Sequence, residues 1–435
     1  MREDLETTPA AGVNRRRFLL GAVGMGIGSA LSCRAETISQ SVSSARRGKL
    51  PSCRITTLTS GPKHHFFGYY GIPPWNKSGK RLICLESEFQ DHLPSADEPA
   101  SVGLVDPRTG AFTKVGETRA WNLQQGAMMC WNPLNPETEV ILNDRRDGEV
   151  VAAILNVQTG SKRYLPRANN AVSHNGRYAL CLTYGRLTRL RPVVGYVGVK
   201  DPNPNIAHPA NDGVFLMDLA TGKYRLVVSI QEIYERLVPK HPELKERHMW
   251  FNHTVFNKDD TRFFFLARSW TDDRQLESAM FTVNIDGSDL REVIPYGSGV
   301  SHFEWRNARE ILATFRFGEG KEKKHVLFTD GLKDYRVIGT PLITSDGHCS
   351  FAPDEKWIAT DQGNSAKREK LLVIYNVQTR VGTVLGSFPL RDYYTGDVRC
   401  DLHPRWNRTG DAICFDALDA RDWTRQLHVA SLDFS

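Results

Sequence analysis

The chain has 435 residues, 40% of them hydrophobic and 24% charged, with a formal net charge of +6 and a pI near 8.8. That is enough apolar sequence for a large core, and it excludes a disordered or fibrous chain. Basic residues are spread without a long run or a nucleic-acid motif, so DNA and RNA are not indicated as partners.

At the N-terminus, Asn14-Arg15-Arg16-Arg17-Phe18-Leu19 runs into LGAVGMGIGSAL, the charged n-region and short apolar h-region of an export signal. Consecutive arginines before Phe-Leu resemble a twin-arginine signal, which is read as an address. The h-region is too short and glycine-rich to span a bilayer. The expectation is an export signal over 1–35, a linker over 36–52, and a periplasmic or secreted monomer without a membrane span. Lipoprotein anchoring through Cys33 is the weaker reading, because Ala30 stands where leucine would be expected.

From residue 53 onward, 35 glycines, 22 prolines and 10% aromatics across the chain favour many short strands and turns. An aromatic or apolar marker, a polar turn and a second apolar run recur seven times: PPWNKSGKRLICLE from Pro73, CWNPLNPETEVILND from Cys130, AVSHNGRYALCLT from Ala171, TVFNKDDTRFFFLAR from Thr254, FEWRNAREILATF from Phe303, SFAPDEKWIATD from Ser350 and PRWNRTGDAICFD from Pro404. Each reads as a hairpin followed by a second strand pair, which predicts an all-β, seven-bladed β-propeller over 53–435. The last unit lacks a fourth strand, and Cys53 to Leu58 is expected to supply it and close the ring. Only Ser229 to Leu237 reads as a helix, and Cys84, Cys181 and Cys414 read as buried small hydrophobes.

The inner strand of each propeller blade lines the central channel, so one offset before the marker defines one level of the ring. Three residues before their markers stand His253, His302, His348 and His403, in four consecutive blades; Asn169, Ile72 and Met128 hold that offset in the third, first and second. One histidine on an apolar strand is usually a packing residue, but four of the chain's 13 in one register point to a shared site. Converging imidazoles suit a divalent metal, manganese or zinc before calcium. Lys63-His64-His65-Phe66-Phe67-Gly68-Tyr69-Tyr70 offers His65 and Tyr70 as proton donor or acceptor, against aromatic packing as the plain alternative. Residues 184–196 read as a long basic loop whose Tyr184, Arg186 and Arg191 suit carboxylate recognition and sugar stacking. Arg119 to Gly126 and Asn143-Asp144-Arg145 are weaker candidates to present polar groups to the same pocket.

The hairpins resemble the WD40-like repeats of TolB-type periplasmic propellers, a likeness of fold. Together with the export signal, the inner-strand histidines and the HHFFGYY and DGHCSFAPD stretches, they look like the propeller polysaccharide lyases: oligogalacturonate lyase in its channel histidines, and the ulvan lyases in a histidine, tyrosine and arginine site. That resemblance implies β-elimination on a uronic-acid-containing oligo- or polysaccharide. It also implies a manganese held by histidines and a glutamine, with His302 and His348 at ligand positions and His253 as the base. The second half of the family's ligand pair falls on Ser350 here and its glutamine has no clear counterpart; His403 is the residue to take over. The remaining role assignments are His65 as an alternative base, Tyr70 or Tyr184 as acid, and Arg145, Arg186 and Arg191 on substrate. The competing expectation is a non-catalytic, TolB-like periplasmic propeller that binds glycan or protein. Serine hydrolase chemistry is disfavoured by the lack of a GxSxG elbow.

Overall fold

In a computed structural model, residues 49–392 and 396–435 are described. The predicted export signal, Cys33 and most of the predicted linker lie outside the described residues.

The described strands form seven four-stranded antiparallel sheets, the expected seven-bladed propeller. Six blades are continuous in sequence: 64–118, 130–164, 169–229, 250–294, 303–337 and 350–389. The seventh takes three strands from 405–433, and its outermost strand is Ser52–Thr57, which runs antiparallel to Arg425–Asp433. Central strands such as Arg262–Trp270, RFFFLARSW, are buried along almost their whole length, because each sheet is covered on both faces by its neighbours.

The repeated motif explains its own geometry. In three of the four WN and FN copies, the side chains of Asn76, Asn257 and Asn407 accept backbone N–H groups four or five residues on, from Arg81, from Thr261 and Arg262, and from Asp411 and Ala412. Each asparagine thereby closes its own hairpin turn. The marker tryptophans staple neighbouring blades: the indole N–H of Trp131 donates to Pro74 O at 2.8 Å, that of Trp305 to Val255 O at 3.1 Å, and that of Trp406 to Ser350 O at 3.1 Å.

One helix matches the sequence-based expectation and one departs from it. Ile230–Leu237 is the predicted helix, capped by Ser229, whose hydroxyl accepts from Glu232 N. A second helix, Tyr184–Leu190, with a 3-10 turn at Pro192–Val194, replaces the predicted basic loop. It forms because Tyr184 and Leu187, one turn apart, bury with Val193, Val194 and Tyr196 against the fourth blade, leaving Arg189 outside.

The first blade also departs from the repeat. His64–Phe66 is itself the inner strand rather than a lead into it, and Trp75 rejoins the sheet by bridging to Leu82. Residues 67–74 form an inserted loop between them. Gly68 and Gly126, at φ +93° and +57°, let this loop cross residues 122–126; a Cβ on Gly68 would sit 2.4 Å from Gly126 N. Asp416 pins the loop by accepting Gly68 N at 3.1 Å and Phe67 N at 3.3 Å. The same carboxylate is paired with the fully buried Arg405 at 2.6 Å and Arg425 at 2.7 Å. Arg425 in turn holds Leu123 O, and Arg405 holds Tyr69 O. One buried ion cluster therefore positions both loops that enter the channel.

Candidate functional site

Three of the four register histidines touch. The rings of His302 and His348 have centroids 4.0 Å apart, those of His348 and His403 4.1 Å, and the Nε2 atoms of His348 and His403 face each other at 3.1 Å. Tyr70 packs against all three, stacked on His403 and edge-on to His302. His253 stands apart from this group, reaching it through Phe303 and the Tyr69–Tyr70 pair.

The backbone aims these rings. His253 and His403 take φ +58° and +47°, and Met128, at the same offset in the second blade, takes +48°. In the fourth blade the strand register shifts between Asn252 and Val255, so His253 sits on a bulge that turns its side chain out of the sheet's alternation. Such strained backbone in a side-chain-bearing residue clusters at functional sites.

Each ring is oriented by a second group. Asp361 accepts His348 Nδ1–H at 3.0 Å and the backbone N–H groups of His348, Leu402 and His403. Asp346 accepts His302 Nδ1–H at 2.7 Å and is also held by Ser301, Thr314 and Lys323. In both pairs the ring proton lies on Nδ1, which leaves Nε2 with a free lone pair. Burial by itself would raise both carboxyls. His348 with Lys370 overrides it at Asp361, and His302 with Lys323 at Asp346, holding both below the usual carboxylate range. Burial lowers the pKa of His302 and holds His403 well below an ordinary histidine, and in both the neighbouring His348 adds to the shift.

At His253 the arrangement is reversed. Tyr69 O–H, at 3.0 Å, and the Gln125 amide, at 3.4 Å, both donate toward Nδ1, so the ring proton is on Nε2. Burial first, then Arg268 and His302, hold this imidazole well below its ordinary pKa, so it is neutral and able to accept a proton. Burial pushes the Tyr69 and Tyr70 hydroxyls up, and Tyr70 Oη accepts Phe303 N–H.

The other sequence-derived candidates lie elsewhere. His65 is held between Gln426 and Glu86 with its ring on Phe112, away from the histidine group. Tyr184 is buried, stacked on Tyr196, and bonded to Asn170 and Asn169 O; burial raises its hydroxyl to about 12. Arg186 spends its guanidinium on Met249 O, Asn203 O, Ile206 O and Ala207 O, with Asp201 at 3.6 Å, which ties the helix to the chain around it. Arg145 donates to Arg119 O and Val197 O. Arg191 is half-buried over Trp270 and lies among the charges acting on His253. Of the weaker stretch at 119–126, Gln125 reaches His253.

The donor set fits a divalent cation. His348, His403 and Asp401 offer ligand atoms within 4.8 Å of one another, all buried, and His403 Nδ1 is a buried polar atom without a hydrogen-bond partner. Two imidazole Nε2 lone pairs at 3.1 Å repel unless a proton or a metal lies between them, and neutral imidazole with carboxylate suits manganese or zinc. Asp401 also pairs with Lys370 and Arg399.

Sequence reasoning passed over Asp346, Asp361, Asp401 and Arg268, and reached Tyr69 only as part of the HHFFGYY stretch. Asp346 and Asp361 flank His348 in SDGHCSFAPDEKWIATD, so a search for carboxylates at either end of the histidine hairpin had a signal to find. Tyr69 meets His253 across 184 residues, and no local pattern announces that.

No protein-family model and no curated protein matches the sequence. Among solved structures, an oligogalacturonate lyase in complex with manganese is similar at a TM-score of 0.61 and 15% identity, covering 89% of this chain and 98% of that one. An oligogalacturonate lyase from Vibrio parahaemolyticus is similar at 0.59 and 12%, with the same coverage. TolB from Acinetobacter baumannii is more distant, at 0.41 and 11%, covering 77% of this chain and 76% of that one. At these identities the likeness is one of fold.

Proposed function

We propose that the protein is a polysaccharide lyase that cleaves uronic-acid-containing oligo- or polysaccharides by β-elimination, with a divalent metal assisting. The observation that carries this reading is the juxtaposition of two differently prepared histidine sets in one channel. His302, His348 and His403 form a contiguous group, with carboxylates behind the first two, and His253 stands apart from it, beyond Tyr69 and Phe303, as a neutral imidazole partnered by Tyr69. The likeness in fold to oligogalacturonate lyases is compatible with it.

β-Elimination breaks the C5–H and C4–O bonds of a uronate, forms the C4=C5 double bond, and needs a place for each proton. His253 takes the C5 proton through Tyr69: the Tyr69 O–H proton moves onto His253 Nδ1 as the phenolic oxygen receives the proton from C5. Tyr70 gives its proton to the departing glycosidic oxygen; its Oη already accepts from Phe303 N, so its own O–H is free to donate. A divalent cation held by His348, His403 and Asp401, with His302 beside them, would supply neutralising charge to the uronate carboxylate as negative charge develops on it. Asp361 and Asp346 keep the rings of that group in the tautomer that presents Nε2.

The test is ultraviolet absorbance of the unsaturated uronate on pectic, ulvan and glycosaminoglycan fragments, with elemental analysis of the purified protein. Absorbance that rises with wild type and not with His253→Ala supports the lyase. Binding of the same fragments with no absorbance change would replace it with a non-catalytic glycan-binding propeller. An export signal over 1–35 would place this activity in the periplasm or outside the cell.

A further inference from the structure

Four described arginines are buried to nine-tenths or more: Arg186, Arg268, Arg405 and Arg425. Three have an acidic partner. Arg186 lies 3.6 Å from Asp201, and Arg405 and Arg425 share Asp416 at 2.6 and 2.7 Å. Arg268, only 5% exposed, has no carboxylate within 4 Å among the described residues. Among the described residues its guanidinium makes one hydrogen bond, from Nη2 to Val300 O at 3.2 Å, and its Nε is buried without a partner.

Burying a guanidinium without a counter-charge costs several kcal/mol, so folded chains seldom retain one unless something else supplies the charge. The surroundings make the deficit worse. Arg191, another cation, is the largest influence after burial itself, and the guanidinium is pulled down to about 9, which still leaves it charged at neutral pH. Arg268 lies on the second strand of blade four and reaches the segment that leads into His302, while its charge acts on His253. Tyr69 and Tyr70 complete its polar surroundings, with Asp346 as the more distant anion.

We propose that Arg268 is the anion-binding side chain of the histidine site, taking a ligand carboxylate between blades four and five, beside His253. Nε and the neighbouring Nη2, which keeps a second hydrogen beyond the one given to Val300 O, make the side-on fork suited to a bidentate carboxylate, and Arg191 adds a second positive charge. The ligand class is therefore a sugar acid, with the acid group rather than the neutral ring as the feature recognised. This rests on the pocket being a site for acidic sugars, not on turnover.

The test uses the full chain as purified, with D-galacturonate, its methyl ester and D-galactose as probes at matched ionic strength, read by thermal unfolding and calorimetric titration. A monosaccharide has no glycosidic bond to eliminate, so the result is independent of lyase activity. Galacturonate is expected to raise the Tm of wild type with concentration, and the ester and galactose are not. Arg268→Met is expected to keep or exceed the ligand-free Tm, because it removes an uncompensated buried charge, and to weaken galacturonate binding by about tenfold or more. Arg268→Lys should retain part of that affinity as a point charge. Arg405→Met, by contrast, should lower the ligand-free Tm sharply. The inference is overturned if Arg268→Met unfolds as early as Arg405→Met, if it binds galacturonate within about twofold of wild type, or if wild type does not respond to galacturonate.

Discussion

Asp361 holds four groups at once: the ring and backbone of His348 and the backbone N–H groups of Leu402 and His403. It therefore orients the imidazoles of two blades with one charge. Asp361→Asn keeps the volume and loses the charge that fixes the Nδ1–H tautomer of His348. The expected outcome is a loss of about tenfold to a hundredfold in affinity for manganese or zinc, by titration, with an unchanged far-ultraviolet circular dichroism spectrum. Tyr69→Phe removes the O–H that donates to His253 Nδ1 while preserving the ring stack. On the lyase reading, kcat should fall about a hundredfold or more with KM little changed.

At the scale of elements, two local solutions differ in what they cost. The Asp416 cluster joins the seventh blade to the loop at 67–74 and, through Arg425, to the loop at 122–126. Asp416→Ala leaves two buried guanidiniums unpaired, and a destabilisation of about 3–5 kcal/mol is expected in denaturant unfolding. The outer hairpins illustrate strain instead. In NVQTG and DLATG the last residue is Gly160 or Gly222 at φ +73°, whereas NVQTR places Arg380 at φ +60°. Arg380→Gly should relieve that left-handed strain and raise stability by roughly 1 kcal/mol, visible as a higher denaturant midpoint at unchanged slope.

Across the whole molecule, histidines outside the site couple stability to pH. Burial, the largest cause in each case, lowers His64, His325 and His428 to about 4 from an ordinary value near 6.5. Their unfolded forms bind protons first on acidification, so the stability they contribute is complete above about pH 6.5 and drains away as pH falls toward 4. Thermal unfolding should show a flat Tm between pH 7 and 8 and a steep decline from about 6.5 to 4. His325→Gln should make that decline shallower.

The blade count, the hairpin turns and the grouping of His302, His348 and His403 were legible in the chain itself, because a propeller repeats one offset from marker to inner strand; His253, at the same offset, stands apart from them. The Ile230–Leu237 helix was legible too, from its serine cap and apolar spacing. Tyr184–Leu190 was not, because a basic stretch becomes a helix here only by burying Tyr184 and Leu187 against blade four. The same burial turned Arg186 from a candidate sugar contact into a side chain committed to backbone carbonyls. Residue order alone carries the periodicity: which residues lie at which level of which blade. Which of them meet follows from the folded chain, because the partners come from distant segments, as with Tyr69 and His253 or Asp361 and His403. It alone also decided where each ring points, since a bulge and left-handed backbone at His253 and His403 override the alternation that a strand pattern implies.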